Sequence, residues 1–243
     1  MVIFRRSGNT WPLLLAANRD EMSGRPWLPP ARHWPDRDLV AGLDELAGGT
    51  WLGMNDHGLV AAILNRTGTL GPAPGKRSRG ELPLEALDHN DAVDAAEAFL
   101  HLAPQAYRPF NMVIADNRDA YWLRSDGDRI TVAEIPEGFS ILTAGELNDT
   151  ACPRIRKFLP LFQQAQIPDP EGGDWTAWQH LLSQKGSETS HGADALCIQR
   201  EDGYGTSSSS LIALPAMDRP DLHPVWLFAP GRPGEAAFEP VPL

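Results

Sequence analysis

Four polar residues in succession, Asn18-Arg19-Asp20-Glu21, follow the apolar run Leu13–Ala17, and Arg25-Pro26 then turns the chain away. Acidic and basic groups side by side at the end of a strand can do chemistry, but a strand end capped by solvated charges is the competing reading. The residues alone leave both open. Alternation from Leu15 points Ala17 and Arg19 to one face, Asn18 and Asp20 to the other. A second unusual block is Gly48-Gly49-Thr50-Trp51-Leu52-Gly53, where three glycines around a tryptophan imply tight backbone approach beside a rigid aromatic.

Other chemistries find little support. His180 and His191 are the nearest pair among seven histidines, there is no HExxH, and no Cys/His pair has ligand spacing. No metal and no cofactor is therefore expected. Gly71 to Arg77 superficially resembles a phosphate-binding loop. It is one residue short between its glycines, Arg77 stands where a magnesium-binding hydroxyl belongs, and two prolines remove N–H donors. GxGxxG, GxSxG and SxxK are absent. Ser207–Ser210 reads as a buried strand of small side chains. Cys197, between Leu196 and Ile198, reads as a core thiol in a strand, and Cys152 as a residue preceding a helix.

The elements that position these residues follow from periodicity. Val2–Arg6 and Leu13–Asn18 form an N-terminal hairpin. Residues 23–49 are rich in Pro, Arg, Gly and Trp and read as a long loop packed by its tryptophans. Trp51–Met54 and Leu59–Asn65 form a second hairpin. Helices are expected over Glu81–Leu87 and Asp91–Leu102. Strands follow at Met112–Asp116, Tyr121–Arg124, Ile130–Glu134 and Ser140–Thr143. A helix from Arg154 to Gln164 opens at Pro153, and another runs from Asp174 to Gln184. Strands close the chain at Ala195–Arg200, Thr206–Leu214 and Val225–Ala229. Strands and helices in separate runs, joined by hairpins, predict an α+β fold with antiparallel sheets.

The 243 residues carry 21 Lys+Arg against 32 Asp+Glu, a net charge of −11. This balance argues against nucleic acid as a partner. Two cysteines exclude a disulfide scaffold and a four-cysteine zinc module. With 22 Gly and 22 Pro and no period, the chain is rich in turns rather than fibrous. The apolar run Trp11–Ala17 is far short of the ~20 residues that cross a bilayer and lacks the features of a signal peptide. A cytoplasmic chain with no membrane span, folded as a single domain over residues 1–243, is expected.

Leu14–Glu21, reading LLAANRDE, resembles the signature of the NRDE family, the transport and Golgi organization protein family. The resemblance continues in order through Arg25-Pro26, the GGTWLG block at Gly48–Gly53, Leu59–Asn65, Ser78-Arg79-Gly80-Glu81, Phe110-Asn111 and Tyr204-Gly205-Thr206. That family resembles N-terminal-nucleophile (Ntn) hydrolases. The resemblance implies a four-layer αββα sandwich with antiparallel sheets and hydrolysis of a nonpeptide amide C–N bond by an N-terminal cysteine. Its α-amino group is the general base. By resemblance Arg19 and Asp20 hold the N-terminus, and Asn65 is an oxyanion donor. Asn18, Thr50, Trp27 and Trp51 are candidate substrate contacts, the tryptophans for an apolar acyl group or as simple loop packing. A self-processing role for Thr50 is the weaker alternative to a structural one.

The chain departs from that pattern. It begins Met1-Val2-Ile3-Phe4, with no nucleophile, so either this member is inactive or a Met-Cys-Thr start lies a few residues upstream; the latter is expected. Ala144 lies where many members carry Asn, and Asn148 is the candidate replacement. Ser207 lies where many carry Arg. The rival function is a noncatalytic carrier or trafficking protein for a hydrophobic ligand such as a lipid, acyl-CoA or haem. The expected partner is thus a small hydrophobic or acyl-amide ligand.

Overall fold

The computed structural model describes residues 1–187 and 192–243; His191 lies outside them. The chain divides into two compact units, each built on one antiparallel sheet flanked by helices.

The first unit comprises Met1–Arg25, Pro136–Leu142 and Glu146–Pro242. Its sheet holds β1 (Val2–Arg5), β2 (Leu13–Met22), β10 (Gly138–Ile141), β11 (Tyr204–Leu214), β12 (Val225–Ala229) and β13 (Glu239–Pro240). The spatial order is β10-β1-β2-β11-β12-β13. Helices α3 (Pro153–Gln164) and α4 (Thr176–Leu182) cover one face. Ile155, Phe158 and Phe162 recur at helical spacing and pack with Val2, Phe4, Leu14, Ala16, Leu211 and Ala213. Trp175 and Trp178 fill the same core with edge-to-face contacts.

The second unit comprises Pro26–Ile135 and Thr143–Gly145, with Leu243. Its sheet is a meander in chain order: β3 (Trp27–Ala31), β4 (Leu39–Asp44), β5 (Leu52–Asn55), β6 (Val60–Asn65), β7 (Phe110–Ala115), β8 (Ala120–Ser125) and β9 (Ile130–Glu134). Helices α1 (Glu81–Ala86) and α2 (Ala92–Ala98) pack apolar residues on it. Asp91 caps α2 by accepting from the Asp94 N–H at 2.9 Å.

Three expectations are corrected. The strand expected to end at Asn18 continues; β2 runs through Met22, because β11 pairs with it from Leu13 to Met22. Residues 23–49 are not one loop, since they contain β3 and β4. Pro29 and Pro30 are tolerated in β3 because it is the sheet's edge. Ala195–Arg200 is not a strand. The N–H groups of Leu196 and Cys197 bond the Gln184 carbonyl, and the Ile198 N–H bonds the Thr206 hydroxyl, so side-chain and loop acceptors replace a ladder.

Candidate active site

In the first unit, Asn18 and Asp20 share the helix-covered face of β2 with Leu14 and Ala16. Asn18 Nδ2 donates to the Leu182 carbonyl at 3.0 Å and the Leu196 carbonyl at 2.9 Å, and its Oδ1 accepts from Ser209 Oγ at 2.7 Å. Asn18 thereby ties β2 and β11 to the C-terminal end of α4 and to the segment carrying Cys197. Asp20 Oδ1 accepts from Thr206 Oγ1 at 2.7 Å. Thr206 and Ser209 are three residues apart, yet both serve this face of β2. A β-bulge between Thr206 and Ser208, with Ser207 as the extra residue, resets the alternation. Ser207 instead meets Arg19: the Arg19 Nη1 donates to Ser207 Oγ at 2.9 Å. The Arg19 side chain is only 8% exposed and lies 3.9 Å from the Glu21 carboxylate.

The amine of Met1 lies at the start of β1, donating to the Leu142 carbonyl at 3.0 Å. Burial lowers its pKa to about 5, helped by the Arg154 charge and opposed by Asp20. A neutral amine at pH 7 is competent as a base. Burial also raises the Asp20 pKa, against the Thr206 hydrogen bond and the charges of Arg154, the amine and Arg200. Each group sits in a setting that favours its uncharged form. Around Asp20 stand Tyr204, its phenol pushed up to about 12 by burial and by Asp20 and Glu21, and Cys197, its buried thiol also pushed up.

Asn148 sits elsewhere in this unit. Its Oδ1 accepts from the Ile141 N–H at 2.8 Å, its own N–H donates to the Ile141 carbonyl at 3.0 Å, and Nδ2 donates to Ser140 Oγ at 3.1 Å. With φ at 57° it caps the outer edge of β10, the far side from β1.

The remaining candidates belong to the second unit. Thr50 is buried; its hydroxyl donates to the Leu52 carbonyl at 3.0 Å and its N–H to the Gly80 carbonyl at 2.8 Å. Trp27 and Trp51 form an edge-to-face pair at 5.8 Å, both half-buried. Asn65 ends β6 opposite Phe110, partly buried, and its amide has no hydrogen-bond partner among the described residues. Nearby, the fully buried Asn111 uses all four positions of its amide. Oδ1 accepts from Arg66 Nη1 (2.8 Å) and Trp122 Nε1 (3.2 Å), while Nδ2 donates to the carbonyls of Thr143 (3.0 Å) and Gly145 (2.7 Å).

Sequence reasoning missed Arg154 and the pairing of Thr206 with Asp20. Thr206 was visible only as a motif letter. Arg154 carried a faint signal, a cation in the first turn of a helix, where the dipole disfavours it. No helix among the described residues is long and apolar enough to cross a membrane.

The fold is that of the Ntn hydrolases. An N-acylethanolamine-hydrolyzing acid amidase ortholog from Caenorhabditis elegans superposes with a TM-score of 0.57 at 13% identity, covering 99% of each chain. Penicillin V acylase from Agrobacterium tumefaciens superposes with a TM-score of 0.52 at 12% identity, over 99% of this chain and 84% of the acylase. At such identities the likeness concerns the fold alone. The family is set by sequence: the model of Transport and Golgi organisation 2 matches residues 1–220. The human Transport and Golgi organization protein 2 homolog is 30% identical over 86% of this chain and 84% of its own. The chain belongs to the Transport and Golgi organisation 2 family, the NRDE family of the sequence motif.

Proposed function

We propose that this chain is the framework of an Ntn-type amidohydrolase acting on a nonpeptide amide C–N bond, a chemistry that takes an N-terminal cysteine as its nucleophile. The observation that carries this reading is the placement of Asn18 and Asp20 on the helix-covered face of β2, Asp20 held by the Thr206 hydroxyl at 2.7 Å and close enough to the start of β1 for its charge to act there. Pairing adds support. β1 meets β2 at Val2↔Ala16, whereas β2 continues to Met22. Continuing that register puts the two preceding residues opposite Asn18 and Arg19, so a processed Cys-Thr extension sets its cysteine across from Arg19. The thiolate attacks the amide carbonyl, the α-amine takes the thiol proton and passes it to the leaving nitrogen, and water then hydrolyses the thioester. The two proteins of this fold reported above are named as an N-acylethanolamine-hydrolyzing acid amidase ortholog and a penicillin V acylase, and amide hydrolysis is the chemistry proposed.

A second reading, a noncatalytic carrier of a hydrophobic ligand, is favoured by the half-buried Trp27–Trp51 pair and by the transport named in the family's description. One experiment separates them. The chain is produced as given and with Met-Cys-Thr prepended, with a Cys-to-Ala control, and assayed on a series of fatty-acyl amides. Hydrolysis by the extended form alone, abolished in the control, supports the amidohydrolase. Loss of the initiator Met without turnover, together with binding of lipid or haem, supports the carrier.

A further inference from the structure

The loop between β6 and α1, residues 66–80, belongs to the second unit. From residue 57 to residue 80 the sequence holds Arg66, Lys76, Arg77 and Arg79 and no Asp or Glu, in a chain whose net charge is −11. The tip of the loop is apolar: Leu70 is 44% exposed, with Pro72 and Pro74 exposed beside it. A leucine on a slack loop turns inward, because burial of its side chain is favourable. This one is held out. The two terminal nitrogens of Arg108 donate to the carbonyls of Gly68, Leu70, Gly71 and Pro72 at 2.8–3.3 Å. Lys76 Nζ donates to the Gln105 carbonyl at 2.6 Å, and the Arg77 N–H to the Ala106 carbonyl at 2.8 Å. Gly71 and Gly75 turn the loop at φ of 79° and 71°, a backbone conformation that side chains disfavour.

The bonds that fix this shape leave its charge in place. Arg108 and Lys76 bond backbone carbonyls, which orient a cation without neutralising it. Arg77 pairs with Glu81 at 2.7 Å and lies 3.8 Å from Glu85, yet its side chain is 58% exposed. An exposed apolar tip beside cations suits a surface that is apolar beneath an anionic layer. One leucine and two prolines offer far less than the ~800 Å² per partner of a stable protein contact. A bilayer sets no such minimum: a single apolar side chain enters the interface while each nearby cation adds attraction to anionic headgroups. The net negative charge of the whole chain repels such a surface, so contact has to be made at a local cationic patch. We propose that the tip at Leu70, with Lys76, Arg77 and Arg108 beside it, docks this chain reversibly on an anionic phospholipid surface. Such docking requires neither amide hydrolysis nor a bound acyl ligand.

The test is sedimentation of the full chain with vesicles of phosphatidylcholine alone or with about 30% phosphatidylglycerol. At about 0.1 M salt the wild-type chain is expected to partition onto the anionic vesicles at least about tenfold better than onto the neutral ones, and at about 0.5 M salt to lose that preference. L70S and K76Q are each expected to weaken binding about threefold or more, and the double variant to abolish it. M217S/R219Q removes the exposed Met217 side chain and the charge of Arg219 from the first unit and is expected to bind as wild type does. Thermal melting establishes that each variant is folded. No preference for anionic vesicles, undiminished binding by L70S/K76Q, or an equal loss in M217S/R219Q overturns the proposal. Sedimentation velocity without vesicles covers the other occupant. Self-association that L70S/K76Q abolishes, with no vesicle binding, makes the loop a contact between copies and overturns the proposal also.

Discussion

The Thr206 hydroxyl donates to Asp20 Oδ1 at 2.7 Å across 186 residues of sequence, and the same oxygen accepts the Ile198 N–H at 2.9 Å. One hydroxyl therefore holds the carboxylate at the centre of the site and anchors the segment that carries Cys197. Its donor role favours the ionised form of a carboxyl whose pKa burial raises.

Replacing Thr206 by Val keeps the shape of the side chain and removes both bonds. The loss strands a buried carboxyl and a buried N–H, which is expected to cost ~3 kcal/mol, whereas Thr206→Ser should cost under ~1.5 kcal/mol because the hydroxyl survives. Urea unfolding of the two variants measures the difference. Equal destabilisation would mean that the methyl, not the hydroxyl, matters.

For the chain produced with a free amine on Met1, stability should depend on pH through that amine. Its pKa is about 5 when folded and 8.0 when exposed, so between these values the unfolded chain binds more protons. Stability is then full above pH 8, falls as pH drops through the window and is lost below about 5, a contribution on the order of 4 kcal/mol. Asp20 acts in the opposite sense: its raised pKa makes the folded state bind the extra proton, an advantage that disappears as pH rises through the folded value. Acetylating the N-terminus should flatten the slope between pH 5 and 8 in denaturant titrations. A slope that survives acetylation contradicts the assignment.

Asn111 is fully engaged, so substitution cannot be neutral. Asn111→Ala removes all four of these hydrogen bonds at a buried point and is expected to cost ~3–4 kcal/mol. Asn111→Asp should be no better, since a carboxylate cannot donate to the Thr143 and Gly145 carbonyls. Chemical denaturation checks both, and a cost below ~1 kcal/mol for Asn111→Ala would show that water replaces the amide.

Two glycines near the tryptophan pair should differ in tolerance. A Cβ on Gly42 would fall 2.3 Å from the Trp51 ring, while one on Gly49 would fall 2.4 Å from the backbone carbonyl carbon of Gly80. An indole can swing aside, but the backbone that accepts the Thr50 N–H cannot without breaking that bond. Gly42→Ala is expected to cost ~1–3 kcal/mol with a shift in tryptophan fluorescence, and Gly49→Ala more than ~3 kcal/mol. Melting temperatures and emission spectra read the two effects separately.

Much of this protein was legible from residue order. The apolar run Leu13–Ala17, the turn residues between strands and the helical spacing of Ile155, Phe158 and Phe162 are local signals, and they specify an α+β chain with antiparallel sheets. The NRDE and GGTWLG blocks, in their order, specify the family. The alternation also assigned Asn18 and Asp20 to one face and Arg19 to the other, because a strand's period is local.

What the tertiary structure decided concerns partners distant in sequence. β2 continues through its charged end because β11 lies alongside, and no local pattern records a neighbour nearly 190 residues away. The bulge at Ser207 brings Thr206 and Ser209 to the same face, out of step with simple alternation. Asn148 became the edge cap of β10 because a left-handed turn returns it to Ile141. Arg154 reached the neighbourhood of Asp20 through the packing of α3 on the sheet. Side-chain type and period are properties of a short stretch of chain, whereas burial, pKa and an unsatisfied guanidinium arise only when distant stretches exclude water together.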